Sequence, residues 1–133
     1  METKNKATIA VLGASQKPER FSNQALALLI EQGFRAIPIH PAFEKILNQP
    51  CIPSLDDLTE PVQALTLYVS PKHQKGLAKS ILRQKITTVI FNPGTENPSL
   101  IEELQNHEVR CITACTLVLL HTDQLEGILQ HEN

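Results

Sequence analysis

Residues 11–22 read "VLGASQKPERFS". An apolar run, residues 7–12, feeds directly into Gly13, Ala14 and Ser15. A polar loop with Lys17, Pro18 and Arg20 follows, and a helical periodicity opens at Ser22. A buried strand, a glycine turn and a helix in that succession begin a βαβ unit. Such a turn can cradle phosphate, because backbone amides at a helix N-terminus and the helix dipole both favour anions. Gly13 permits close approach of the backbone, and Ser15 offers a hydroxyl. The G-x-G-x-x-G spacing of a dinucleotide turn is absent, since Gly13 is the single glycine of the stretch. Taken alone, the turn also fits a βα connection that binds nothing.

The same alternation continues along the chain. Residues 8–12 read as a strand and residues 22–32 as a helix, with Ser22 placed to cap it and Gly33 to end it. Residues 35–39 form a second strand that stops at His40-Pro41. A short helical turn is expected over residues 43–48, and a small extra strand at Cys51-Ile52. Ser54 is placed to cap a turn through Leu58. Residues 64–69 read as a third strand, and Ser70-Pro71 opens a helix to about Gln84, with Pro71 at the first helical position. Residues 86–91, then a turn at Asn92-Pro93-Gly94, a helix over 98–106 and a strand over 109–112 follow. A last helical turn covers residues 116–120, and the ends, 1–6 and 128–133, read as frayed.

Strict alternation of strands and helices predicts an α/β fold with a parallel sheet covered on both faces. The expected architecture is a Rossmann-like three-layer domain spanning residues 1–133. Its five-stranded sheet has the order 2-1-3-4-5, counting the main strands along the chain. Ligands of such sheets bind beyond the carboxyl ends of the strands, where the order reverses. That directs attention to Gly13–Ser15, His40-Pro41, Ser70-Pro71, Asn92–Thr95 and residues 113–116.

Composition sets the outer limits. The chain has 133 residues, 41% of them hydrophobic, and a net charge of −2, which gives no global pull toward nucleic acid or an anionic membrane. No apolar run is long enough to span a bilayer, and the start lacks the apolar core of a signal peptide. A cytoplasmic location is expected. Cys51, Cys111 and Cys115 are an odd number of thiols and argue against a disulfide framework. Charge is unevenly placed: no Asp or Glu lies between Pro61 and Thr95, a stretch holding Lys72, Lys75, Lys79, Arg83 and Lys85. Such a face is either simply solvated or an attracting field near a ligand mouth.

The end of the second strand discriminates among nucleotides. An NAD site places an acid there to hold the ribose hydroxyls. Here the strand ends in His40-Pro41, with no acid before Glu44, so NAD is disfavoured. A ligand with an extra ribose phosphate fits the cations Lys17, Arg20, His40, Lys45 and Lys72.

The pieces "VLGASQKPERFS", "GFRAIPIHP", "CIPSLDDL", "YVSP", "FNPGTENP" and "ACTLVLL" carry a resemblance when taken in order. The chain resembles the CoA-binding family of small Rossmann-like proteins, which are similar to the CoA-binding domain of the succinyl-CoA synthetase alpha subunit. The resemblance implies coenzyme A as the ligand. It implies that Gly13, Ala14 and Ser15 hold the pyrophosphate, with Arg20 and Ser22 at the adjoining helix start. It places His40 and Pro41 beside the adenosine, and Val69, Ser70 and Pro71, with Lys72 close by, on the opposite wall. Asn92, Pro93 and Gly94 would then approach the pantetheine arm. The chain departs from the family where Asn-Pro is common and His40-Pro41 stands here, and where Asp-Arg-Cys is common and Thr113-Ala114-Cys115 stands here.

Other chemistries are weaker. Cys111, Cys115 and His121 do not have zinc-finger spacing. Thioester chemistry at Cys115 would need a base, and neither His121 nor His107 is placed by a motif. A receiver-like signalling domain would need an acidic cluster after the first strand, where Gly13-Ala14-Ser15 stands. The expectation is a stand-alone protein binding CoA or acyl-CoA, with no catalysis, no metal, no nucleic acid and no membrane. The alternatives are an enzyme or regulator using another nucleotide such as NADP, and an interaction protein with a vestigial pocket. A homodimer or an unidentified protein partner is left open.

Overall fold

The computed structural model describes residues 6–130. β1 (Thr8–Leu12) leads into α1 (Phe21–Glu31) and β2 (Arg35–Ile39), followed by a small hairpin, β3 (Lys45–Ile46) and β4 (Gln49–Pro50). A 3-10 turn (Leu55–Asp57) precedes β5 (Ala64–Leu67), and a second (Pro71–His73) precedes α2 (Leu77–Arg83). β6 (Thr88–Phe91), α3 (Pro98–Asn106), β7 (Arg110–Thr113), α4 (Thr116–His121) and α5 (Leu125–Gln130) complete the chain.

Five strands pair in parallel in the order β2-β1-β5-β6-β7, which is the expected 2-1-3-4-5 once the hairpin strands are set aside. Apart from the half-exposed edge strand β7, the sheet is buried on both faces, and its side chains alternate between two cores. Ala10, Ile37, Ile39, Leu65, Leu67, Val89 and Phe91 meet Leu77, Ile81, Leu100 and Leu104 from α2 and α3. Ile9, Val11, Ala36, Ala64 and Ile90 meet Leu26, Leu29, Leu119, Leu120 and Leu125 from α1, α4 and α5. The period of two along each strand therefore builds three layers, and near-continuous apolar strands are what a parallel sheet requires.

α1 ends as the sequence predicts. Gly33 adopts φ +95°, its amide reaches the Ile30 carbonyl, and the Phe34 amide reaches that of Leu29, a Schellman ending. α3 keeps the expected bounds: Pro98 opens it, and Asn97 Oδ1 accepts from the Leu100 amide at 3.3 Å.

Three local expectations are corrected. Ser22 does not cap α1, because Arg20 holds the extended N-cap position and Ser22 lies buried inside the first turn. Residues 43–48 are not helical. Leu47 and Asn48 take φ 52° and 64°, the left-handed pair of a tight two-residue hairpin turn. The helix expected from Ser70 to Gln84 is broken at Gly76, whose φ of 75° cannot continue an α-helix. Of the ends expected to be frayed, 1–5 and 131–133 lie outside the described residues, and residues 128–130 belong to α5. There the Arg110 guanidinium donates to the Ile128 carbonyl. At the other end, the Lys6 amide is held by the Gly33 carbonyl at 3.0 Å.

Candidate functional site

The order of the sheet reverses beside β1, whose neighbours β2 and β5 leave in opposite directions. The loop after β1 begins at that point. The Gly13 and Ala14 amides both donate to the Ile39 carbonyl at the end of β2, at 3.0 and 3.3 Å, so neither is free for a ligand. Gly13 sits at φ +90°, and a Cβ there would lie 2.9 Å from Val69 Cγ1 and 3.1 Å from the Tyr68 carbonyl carbon. The glycine is thus required by the chain's own packing before any ligand is considered.

The next residues differ. Ser15 Oγ accepts from the Lys17 amide at 3.1 Å, and the Ser15 carbonyl accepts from Asn23 Nδ2 at 2.8 Å. Asn23 is buried in α1, so it braces the loop on the helix. Gln16 Nε2 donates to the Lys45 carbonyl, which fixes the loop's other side to the hairpin. The amides of Ser15 and Gln16, and those of Phe21 and Ser22 at the start of α1, meet no acceptor among the described residues. A braced loop and an eleven-residue helix therefore present unspent donors together.

A cavity of about 590 Å³ opens over this loop. Gly13, Ala14, Ser15 and Lys17 line it from the loop, and Arg20, Phe21 and Ser22 from the start of α1. His40 and Phe43 line it beyond β2; Tyr68, Val69, Ser70 and His73 line it beyond β5. Lys17 and Arg20 bring fixed positive charge and no carboxylate lines the cavity, so its field suits an anion. The volume falls within the range of small-molecule sites.

His40 is oriented by its own turn. Its Nδ1 accepts from the Ala42 amide at 3.0 Å, which assigns the proton of the neutral ring to Nε2. The ring stacks on Phe43 at 4.6 Å between centroids, tilted by 32°. Tyr68 joins the cavity to the interior. Tyr68 lines the cavity, its side chain packs against the α1-side core, and its hydroxyl is buried near Thr116 and Thr66, which bond each other at 2.7 Å. The phenol is left without a well-formed hydrogen bond among the described residues. Burial, opposed by those two neighbours, pushes it up to about 12.

Several residues of the expected site lie elsewhere. Pro41, Pro71 and Lys72 are exposed and do not line this cavity. Asn92 is 2% exposed: its Nδ2 donates to Thr66 Oγ1 and the Leu67 carbonyl, and its Oδ1 accepts from the Thr116 amide. That side chain ties β5, β6 and α4 together, and none of its polar atoms is left for a pantetheine arm. Pro93 and Gly94 are exposed outside the cavity, where the Gly94 amide is taken by Glu96. Of the cationic run, Arg83 is committed to Asp56 at 2.6 Å. Cys115 is half-buried at the N-cap of α4 and does not line the cavity. Among the described residues no group of three or more His, Cys, Asp and Glu side chains could hold a metal.

The sequence pattern of the CoA binding domain matches residues 7–121. The chain belongs to the CoA binding domain family. It is 26% identical over 97 residues to YneT, an uncharacterized protein of Bacillus subtilis (strain 168), covering 73% of this chain and 72% of that protein. The crystal structure of an uncharacterized protein superposes with a TM-score of 0.84 at 31% identity, covering 91% of this chain and 99% of that one. The fold also matches the dinucleotide-forming acetyl-coenzyme A synthetase 1 of Ca. Korarchaeum cryptofilum, with a TM-score of 0.72 at 20% identity. That match covers 83% of this chain and 26% of the synthetase, and at this identity it concerns the fold alone.

The sequence reading missed Phe21, Phe43, Tyr68 and His73 of the cavity, and the brace Asn23. Phe21 and Asn23 flank Ser22, and Tyr68 precedes Val69, so the signal was adjacency to residues already singled out. Phe43 needed the hairpin to be recognised.

Proposed function

We propose that this member of the CoA binding domain family is a stand-alone module that binds coenzyme A or an acyl-CoA and carries no catalysis of its own. The carrying observation is the cavity over the first loop, where unspent amides of the loop and of α1 lie beside Lys17 and Arg20 at the switch point of the sheet. These residues fit the anionic half of CoA. Ser15, Gln16, Phe21 and Ser22 would supply backbone donors to the pyrophosphate, with Lys17 and Arg20 as counter-charges. His40 Nε2–H and the Ser70 hydroxyl would face the adenosine. Bound CoA would supply a thiol that carries acyl groups as thioesters.

The reading without catalysis is supported by two half-buried thiols and by the position of the third, Cys115, outside the cavity. Burial raises Cys51, and it pushes Cys111 up to about 11, which suits inert packing groups rather than nucleophiles. Calorimetric titration of the full chain with CoA, acetyl-CoA, NADP and ATP, together with a thiol-release assay on acetyl-CoA, tests the reading. CoA and acetyl-CoA are expected to bind tightest, with no release above the buffer blank. Preference for NADP or ATP would overturn the ligand, and release that disappears in Cys115→Ser would overturn the lack of catalysis.

A further inference from the structure

The chain holds five aromatic residues, Phe21, Phe34, Phe43, Tyr68 and Phe91. Phe34 and Phe91 are core residues, 5% and 0% exposed. The other three all line the one cavity, where the His40 ring adds a fourth plane stacked on Phe43. Unspent amides and cations suit a phosphate, but a phosphate alone has no use for aromatic rings. Their combination suits a phosphate joined to a planar base.

Phe21 is the unusual member. It is 67% exposed although it is the first residue of α1, and the next two residues of that helix, Ser22 and Asn23, are buried. The helix thus turns two polar side chains inward and a phenyl ring outward. An apolar staple at the helix start does not account for it, because the residue before the N-cap is Glu19. Phe43, in contrast, is half-buried, packed against the α1-side core and held by His40. One ring is anchored and the other stands exposed, and both line the same space.

We propose that Phe21 is a specificity residue that stacks on the adenine of the bound nucleotide, closing over it from the start of α1 while the His40–Phe43 pair forms the fixed side. The inference rests on the CoA reading and adds which group of the ligand is recognised by stacking. Truncation of a ring that stacks on a base typically weakens binding by about tenfold.

The test compares the wild type with Phe21→Ala and Phe21→Tyr, titrated with CoA and with ADP, while the adenine absorbance near the base band is followed for the hypochromism that stacking produces. Phe21→Ala is expected to bind CoA and ADP each about tenfold more weakly and to lose the hypochromism, and Phe21→Tyr to retain both. The high exposure of Phe21 makes the alanine variant's fold secure, and thermal melting checks it. Unchanged CoA affinity in Phe21→Ala overturns the inference and leaves the CoA reading intact. Weakened CoA binding with unchanged ADP binding also overturns it, because the ring then packs on the pantetheine arm. A wild type that binds ADP but not CoA, with Phe21→Ala weakened for ADP, overturns the CoA reading while supporting the stacking role. A wild type that binds neither overturns both.

Discussion

The loop after β1 and the loop after β6 leave the same edge of the sheet, and each carries a glycine in the left-handed region, Gly13 at φ 90° and Gly94 at φ 93°. Each precedes a helix of more than two turns, α1 or α3. They treat their polar groups in opposite ways. After β6, Asn92 is committed to Thr66, Leu67 and Thr116, the Thr95 hydroxyl to the Asn92 carbonyl, and Asn97 to the helix cap and to Gln74. Gln74 in turn spans the Val69 and Thr95 carbonyls, at 2.9 Å each. After β1, the loop is braced by Asn23 of α1 and by the Gln16 side chain reaching the hairpin, and the amides of Ser15, Gln16, Glu19, Phe21 and Ser22 are left without acceptors among the described residues. The loop after β1 is held in place while backbone donors stay unspent, which suits the proposed binding site. The loop after β6 commits its polar side chains to structure.

The largest effect expected from this contrast is at Asn92. Asn92→Ala removes three hydrogen bonds from a fully buried network and should lower stability by about 3 kcal/mol, read by urea unfolding. CoA affinity of the folded protein should change less than twofold. A large affinity loss without a stability loss would break the comparison.

Gly13→Ala comes next. The left-handed φ and the 2.9 Å contact with Val69 should lower stability by about 2 kcal/mol. A substitution here therefore disturbs the β1–β5 junction itself, and thermal melting without ligand should already show the loss. Gly94→Ala has open space around its Cβ and should cost less, about 1 kcal/mol from φ alone.

Arg20→Ala separates binding from folding. Arg20 is exposed, so stability should stay within about 0.5 kcal/mol. Loss of a charge-assisted hydrogen bond should weaken CoA about tenfold, less at high salt, by calorimetry.

Tyr68 connects the two regions: it lines the cavity, and its hydroxyl lies near the Asn92 network. Its folded value, about 12, lies above the usual phenol value near 10. The group therefore contributes stability that is present in full below pH 10 and is lost as the pH rises toward 12. Denaturant unfolding at pH 7 to 11.5 should show that decline, and Tyr68→Phe should reduce its part above pH 10, leaving the part that the raised Cys111 thiol contributes from about pH 9.

The smallest effect belongs to the opposite end of the sheet. Arg35 at the start of β2 pairs with Glu60 at 2.6 Å, and the Arg35 hydrogen bond, ahead of its charge, draws Glu60 below the usual carboxylate value. The stability this gives is present above about pH 4.5 and lost as the pH falls through the lowered value. Both side chains are substantially exposed, so Glu60→Gln should cost about 0.5 kcal/mol or less by urea unfolding at neutral pH, with no change in CoA affinity.

The sequence by itself determined the class of fold and the order of its main strands, because apolar runs of strand length alternate with helical periodicity and only a few right-handed topologies accommodate that alternation. It also located Gly33 and Pro98 as helix boundaries, since a left-handed glycine and a first-turn proline act locally. It marked every strand-end loop as a candidate, and the order of short motifs tied the chain to its family. Which of those loops keeps its donors free was settled only by tertiary structure. Asn92 and Ser15 look alike as polar residues after a strand, but Thr116 and Thr66 reach Asn92 across 24 and 26 positions, and Asn23 reaches the Ser15 carbonyl rather than its amide. The gathering of Phe21, Phe43 and Tyr68 around one cavity has the same origin. No local pattern links positions 21, 43 and 68; the parallel sheet does, by delivering the ends of β1, β2 and β5 to one edge.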